Sequence, residues 1–139
     1  MQVSYCKLGL VQFSLEQLDS ALQSFEQVIK IQHLINSPDL QTAKVFCNIG
    51  VTLYHKGDLL SASKFLRQSL EIQRKWIGIP VRRECNVYEF SVTLCNMGKI
   101  FLERNDYEMS FHAYEEALTV RVMGCFSTLF ETQKIHTDI

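Results

Sequence analysis

The stretch GVTLYHKGDLLSASKFL, residues 50–66, gives the clearest indication of how this chain folds. It contains two helical patterns of apolar residues joined by a turn at Gly57. Gly50 lies inside the first pattern and Ala62 inside the second, each among large apolar residues. Glycine in a helix interior costs about 1 kcal/mol relative to alanine. We therefore predict a helical hairpin in which small side chains allow the two helices to approach closely at these positions.

The composition is typical of a single globular domain. The chain has 139 residues, 47% hydrophobic and 21% charged, so it can form a core. Its formal net charge of −1 disfavours nucleic acid or an anionic membrane as a partner. No apolar stretch reaches the roughly 18 residues that span a bilayer, and the N-terminal residues lack the basic lead of a signal peptide. The five cysteines include no CxxC pair, which favours reduced thiols in a cytosolic or nuclear protein, and we expect a cytoplasmic location.

Apolar periodicity predicts six helices in three hairpins and no strand, so the predicted fold class is all-α. The predicted helical segments are Val3–Phe13, Leu15–Leu34, Ser37 to about Lys56, Leu59–Trp76, about Arg82–Arg104, and Asn105 to about Val122.

Local signals predict how three of these helices begin. Ser14, with Gln17 three residues later, resembles a capping box for the second helix. Ser37 is predicted as the N-cap of the third helix, followed by a proline at the first helical position. Asn105, with Glu108 three residues later, is predicted to cap the sixth helix.

The three hairpins are related by an internal repeat that becomes visible when three glycines are aligned. Gly9, Gly50 and Gly98 are separated by 41 and 48 residues. Twelve residues after each glycine is a small residue: Ala21, Ala62 and Ser110. Sixteen residues after it is a large one: Phe25, Leu66 and Tyr114. Twenty residues after it is a branched aliphatic one: Ile29, Leu70 and Leu118. Residues at the same distance from these glycines are called equivalent below.

This pattern resembles the tetratricopeptide repeat, whose consensus has Leu-Gly, Tyr, Gly-Asp-Tyr, Ala and Ala-Leu at these intervals. The best matches are NIGVTLYHKGDLLSA…SLEI and NMGKIFLERNDYEMS…ALTV, and the resemblance extends from about Val3 to Val122. The spacings exceed the common 34 residues and are similar to the longer repeats of kinesin light chains and Leu-Gly-Asn-type polarity proteins. SLEIQRKWIG, residues 69–78, is similar to a helix end of kinesin light chain repeats.

The resemblance implies a right-handed superhelical solenoid of three helix-turn-helix repeats with a short C-terminal tail. The expected repeat domain is residues 1–123, with repeats at about 2–36, 37–79 and 82–123. Residues 124–139 are expected to form either a short capping helix over the last hairpin or an exposed apolar end that promotes self-association.

In this family the first helix of each hairpin lines a concave groove, and the resemblance places a partner-binding surface there. The residues implied are Cys6, Lys7, Leu10, Phe13, Lys44, Cys47, Asn48, Val51, Tyr54, His55, Cys95, Asn96, Lys99, Leu102 and Glu103.

Two features of this surface have alternative interpretations. Asn48 and Asn96 match an asparagine that often hydrogen-bonds a bound peptide's backbone in such repeats, but a solvated or structural role is equally consistent. Cys6, Cys47 and Cys95 are equivalent; we favour small half-buried packing residues over a metal or redox site. Adjacent first helices are expected about 10 Å or more apart, which disfavours direct disulfides between these cysteines.

The predicted partner is a peptide or helix with apolar anchors and some acidic residues. The predicted groove is mixed in character and is positively charged at Lys7, Lys44 and Lys99. Such a partner resembles the tryptophan-and-acid cargo motifs of kinesin light chains. Only Asn48 matches the residues with which some repeat proteins clamp the C-terminal carboxylate of chaperones, so that ligand is disfavoured.

The sequence predicts no enzyme, no cofactor and no metal site. Its histidines are scattered and lack a Ser or Cys partner in a nucleophile motif. The MGK triplet at residues 97–99 lacks the upstream glycine and following Ser or Thr of a phosphate loop.

Three functions therefore compete. The first is a protein–protein interaction scaffold, or adaptor. The second is a regulatory helical segment of a larger enzyme or signalling protein. The third is an RNA-binding helical array. This function is suggested by a local cluster of basic residues, Arg74, Lys75, Arg82 and Arg83. The overall charge disfavours that third function, and basic residues near a helix end also favour the helix dipole.

Overall fold

The structure is a computed structural model that describes residues 2–35, 39–76 and 83–137. Within these ranges every regular element is an α-helix and none is a strand. The helices are α1 (Gln2–Ser14), α2 (Leu18–Ile35), α3 (Leu40–Lys56), α4 (Leu59–Trp76), α5 (Arg83–Glu103) and α6 (Tyr107–Thr137). The all-α prediction and the order of six helices are confirmed. The chain divides into two compact units, Met1–Lys75 and Trp76–Ile139, which are described separately.

The aligned glycines lie where the two helices of each hairpin pack most closely. A Cβ atom added at Gly9 would lie 2.6 Å from the ring of Phe25, and one added at Gly98 would lie 2.7 Å from the ring of Tyr114. The predicted close approach of the hairpin helices at the small residues is therefore confirmed, because the large side chain of the second helix fills the space above the glycine.

The core of the first unit joins three helices. The buried cluster consists of Cys6, Ala21, Phe25, Val28, Val45 and Ile49, which come from α1, α2 and α3. Leu22 and Ile29 of α2 pack against it from the edge. Lys56 at the end of α3 also forms an ion pair with Asp19 in the first turn of α2. The α2–α3 contact therefore combines a buried apolar interface with a polar rim.

The three turns share one backbone conformation. Glu16, Gly57 and Asn105 each lie seven residues after an aligned glycine, and their φ angles are 61°, 88° and 60°. In each turn the following residue donates its backbone N–H to the carbonyl five positions back, at 2.8 Å in the first turn, 3.0 Å in the second and 2.8 Å in the third. The helices α1, α3 and α5 therefore end in the same left-handed motif, whether or not the residue is glycine.

The predicted caps of α2 and α6 were wrong by a few positions. Ser14 belongs to α1, where its Oγ donates to the carbonyl of Leu10 at 3.0 Å. Asn105 is the left-handed turn residue, and the N-cap of α6 is Asp106, whose carboxylate accepts from Met109 N at 3.3 Å. The left-handed residue of the turn precedes the cap, so each helix begins later than the periodicity indicated.

The N-cap of α3 is Asp39, not Ser37. The Asp39 carboxylate accepts from Thr42 N at 3.0 Å, and Thr42 Oγ1 accepts from Asp39 N at 3.4 Å, which completes a capping box. Ser37 itself lies outside the described residues.

Helix α6 does not end near Val122 as predicted but continues to Thr137. An interior glycine costs only about 1 kcal/mol, and no proline follows Gly124. A single glycine is therefore too weak a signal to end this helix.

Candidate partner-binding surface

In the first unit, α1 and α3 carry the predicted binding residues, and most of these side chains reach the surface. Lys7, Leu10, Lys44 and His55 are exposed. The half-buried members are Phe13, Cys47, Asn48, Val51 and Tyr54.

Cys6 does not lie on this surface. It is buried in the core cluster with Phe25 and Val45, so its thiol packs as a small apolar group and cannot meet a partner. The equivalent Cys47 and Cys95 are half-buried, and none of the three forms a disulfide.

An aromatic cluster joins the C-terminal ends of α1 and α3. The ring of Phe13 on α1 meets that of His55 on α3 edge to face, with centroids 5.2 Å apart and an interplanar angle of 66°. Tyr54 meets the same imidazole at 5.5 Å and 87°. Edge-to-face contacts of this kind hold aromatic side chains in a defined arrangement. The three rings, called the aromatic cluster below, are the best-defined feature of the predicted surface.

Asn48 provides a polar group near the middle of α3. Its backbone carbonyl accepts from Thr52 Oγ1 at 2.7 Å. Its side-chain Nδ2 is buried and meets no acceptor among the described residues. An unpaired buried donor of this kind costs about 1–3 kcal/mol. The Asn48 amide is therefore only partly satisfied by the described residues.

Two cations flank this part of the surface. Lys7 on α1 and Lys44 on α3 are exposed, and neither forms an ion pair with another described residue. Lys56, by contrast, is held by Asp19. The positive charge available to a partner on α1 and α3 is therefore concentrated on Lys7 and Lys44.

The second unit carries the corresponding residues on α5. Cys95 and Asn96 are half-buried, whereas Lys99, Leu102 and Glu103 are exposed. Tyr114 of α6 lies near Cys95. Partial burial raises the pKa of its phenol above the ordinary 10.0, and Cys95 raises it further.

Sequence reasoning did not identify a cavity of about 450 Å³ next to α1 and α2. It is lined by Tyr5, Gln23, Ser24, Glu26, Gln27 and Lys30. These residues lie outside the predicted surface. No pattern in the sequence distinguished them from an ordinary solvated helix face.

Within the described ranges, no three His, Cys, Asp or Glu residues come together as metal ligands. The part of the chain that the structure describes also holds no helix with the length and apolar character needed to cross a bilayer.

Comparisons with known proteins match most of the chain. One family model described as tetratricopeptide repeat matches residues 1–75, and a second with the same description matches residues 92–121. Among solved structures, the crystal structure of BtubC (BKLC) from P. vanneervenii is similar, with a TM-score of 0.78 and 18% sequence identity. The match covers 88% of this chain and 47% of BtubC, so the chain spans about half the length of that protein. No curated protein matches.

Proposed function

This chain belongs to the tetratricopeptide repeat family, and on that premise we propose that it is a non-catalytic scaffold that binds a peptide or helix of a partner protein on α1 and α3. Tetratricopeptide repeats generally mediate protein–protein interactions. The resemblance to kinesin light chain repeats is supported by the likeness to BtubC.

The aromatic cluster is the observation that carries this proposal. Phe13, Tyr54 and His55 are pre-arranged on neighbouring helices and only partly covered. Aromatic side chains are enriched at the centres of protein interfaces, because they bury large areas with few rotatable bonds. An apolar side chain of the partner would pack against these rings.

Charge and hydrogen bonding define the rest of the partner's chemistry. The exposed Lys7 and Lys44 favour carboxylates near the apolar anchor. Asn48 is half-buried on the same surface, and its side-chain amide carries both a donor and an acceptor, which suits a peptide backbone. The preferred ligand is thus a short segment with one large apolar residue flanked by acids.

On its own unit, α5 presents Asn96, Lys99, Leu102 and Glu103 in the same positions of the repeat. We extend the proposal to this surface as a second place of contact with partner proteins. Cys95 lies beside them and close to Tyr114 of α6.

Binding of synthetic peptides tests the main proposal. One peptide carries a tryptophan flanked by acids, and its control replaces the tryptophan with alanine. In fluorescence anisotropy we expect the first peptide to bind and the control to bind at least about tenfold more weakly, since loss of a buried aromatic anchor exceeds 1.4 kcal/mol.

Protein variants test whether the peptide binds at this surface. His55→Ala with Lys44→Glu should weaken binding about tenfold or more. Lys64→Glu, the same charge reversal at an exposed position of α4, should leave it unchanged. Equal affinity of both variants, or equal binding of both peptides, would exclude this surface and ligand chemistry.

A further inference from the structure

Helix α6 exposes a row of large apolar side chains. Tyr107, Phe111 and Leu118 lie on one stripe of the helix, and Phe111 and Leu118 are 66% and 64% exposed. Single exposed apolar residues are ordinary, but a continuous stripe of this kind marks an interaction surface.

The internal repeat shows what such a stripe contacts. Phe111 and Leu118 are equivalent to Leu22 and Ile29 of α2. Those two α2 residues pack into the same core cluster as Val45 and Ile49 of α3. The stripe on α6 is therefore the face that α2 uses to receive the first helix of the next repeat.

Helix α1 carries the other side of this type of interface, the side that α3 contributes in the first unit, and on α1 that side is exposed. Leu8 and Val11 are 46% and 55% exposed. Their equivalents on α3 are Ile49 and Thr52, which are 2% and 0% exposed. Leu8 and Val11 thus occupy positions that become buried when a first helix docks against a preceding repeat.

We propose that α6 of one copy of this chain binds α1 of a second copy, with the packing that joins α2 to α3 within the chain. The chain's own repeat sets the occupant of each face, because the two exposed faces correspond to the two sides of the α2–α3 interface within the first unit. The association is heterologous: it uses two different surfaces, so a bound pair retains one free face of each kind.

This proposal does not depend on the peptide-binding surface. Leu8 and Val11 are distinct from the residues proposed to meet a peptide, and α6 carries none of those residues. Failure of peptide binding would therefore leave self-association untouched, and the reverse also holds.

Sedimentation velocity of the full chain over a range of concentrations tests the inference. We expect the average mass of the wild type to rise above that of the monomer as concentration increases. Phe111→Glu with Leu118→Glu should raise the dissociation constant at least about tenfold, because it places charges on the apolar contact. Leu8→Glu with Val11→Glu should do the same.

Leu60→Glu is the matched control. Leu60 is exposed on α4, and its equivalents are Asp19 and Glu108, so an acid is compatible with this position. This variant should associate like the wild type. Circular dichroism verifies that each variant remains helical, and the single changes Leu118→Glu and Leu8→Glu replace any double variant that does not.

Mixing the two impaired variants gives the decisive result. The α6 variant retains its α1 face and the α1 variant retains its α6 face, so the mixture should form a one-to-one dimer that grows no further. A wild type that stays monomeric, a mixture that stays monomeric, or equal loss of association in Leu60→Glu would overturn the proposal.

Discussion

Leu66 occupies the space that a side chain on Gly50 would need. A Cβ atom added to Gly50 would lie 2.7 Å from Cγ of Leu66 and 3.2 Å from the carbonyl oxygen of Ala62. We expect Gly50→Ala to destabilise the fold by up to about 2 kcal/mol, because overpacking costs about 1–3 kcal/mol and the gain in helix propensity offsets only about 1 kcal/mol. Urea unfolding followed by circular dichroism measures this difference.

A double-mutant cycle separates overpacking from other effects. Leu66→Ala alone should cost about 2–5 kcal/mol by leaving a cavity. Combined with Gly50→Ala it should cost less than the sum of the two changes, since the added methyl group then has room. Strict additivity would show that the two residues do not compete for the same space.

Glu16 holds a left-handed backbone conformation that glycine holds in the second turn. Its φ is 61°, and that of the equivalent Gly57 is 88°. A left-handed conformation costs a non-glycine residue about 1–2 kcal/mol, and glycine's greater freedom in the unfolded chain offsets about 0.4–1 kcal/mol. Glu16→Gly should therefore stabilise the fold by roughly 0.5–1 kcal/mol, measured as a higher urea midpoint.

The reverse substitution is the control for that turn. Nothing lies within 4 Å of a Cβ atom added to Gly57. Gly57→Ala should therefore lower the free energy of unfolding through the backbone alone, by about 1 kcal/mol. If Gly57→Ala left the free energy of unfolding unchanged, the turns would tolerate any residue at this position.

Helix α2 lacks the acidic cap that its equivalents have. Asp58 accepts from Ser61 N at 3.2 Å and Asp106 accepts from Met109 N at 3.3 Å, whereas the equivalent residue before α2 is Gln17. Gln17→Asp should stabilise the fold by about 1 kcal/mol in thermal or urea unfolding. Gln17→Asn should give a similar gain, because asparagine also caps, and Gln17→Glu should give little. A gain with Glu equal to that with Asp would point to the helix dipole instead.

The sequence predicted the hairpins well because their determinants are local. The apolar stripe of α2 and the pairing of Gly50 with Leu66 follow from helical spacing within one hairpin. The caps were harder, because a left-handed residue such as Asn105 shifts the start of the next helix without changing the apolar pattern. The end of α6 was missed because the cost of Gly124 is small beside the rest of a long helix.

The candidate surface was predictable only in part. The family resemblance placed Phe13 and His55 on the expected groove, but their contact depends on the offset between α1 and α3, which no single helix encodes. Equivalent residues also differ in burial at this position: Cys6 is buried in the core cluster, whereas Cys47 is half-buried.

Tyr114 should give the second unit a specific alkaline sensitivity. Tyr114 is 37% exposed, and its partial burial raises the pKa of the phenol above 10.0; the nearby Cys95 raises it further, so the folded protein favours the neutral phenol. This contribution to stability is complete below the unfolded pKa of about 10 and is lost as the pH rises through the folded pKa.

Tyr114→Phe retains the ring that packs over Gly98 and should reduce the loss of stability above about pH 10. Phenolate absorbance should show Tyr114 titrating later than an exposed tyrosine and earlier in Cys95→Ala than in the wild type. If the free energy of unfolding of Tyr114→Phe fell as steeply above pH 10 as that of the wild type, other groups would be responsible for the loss of stability.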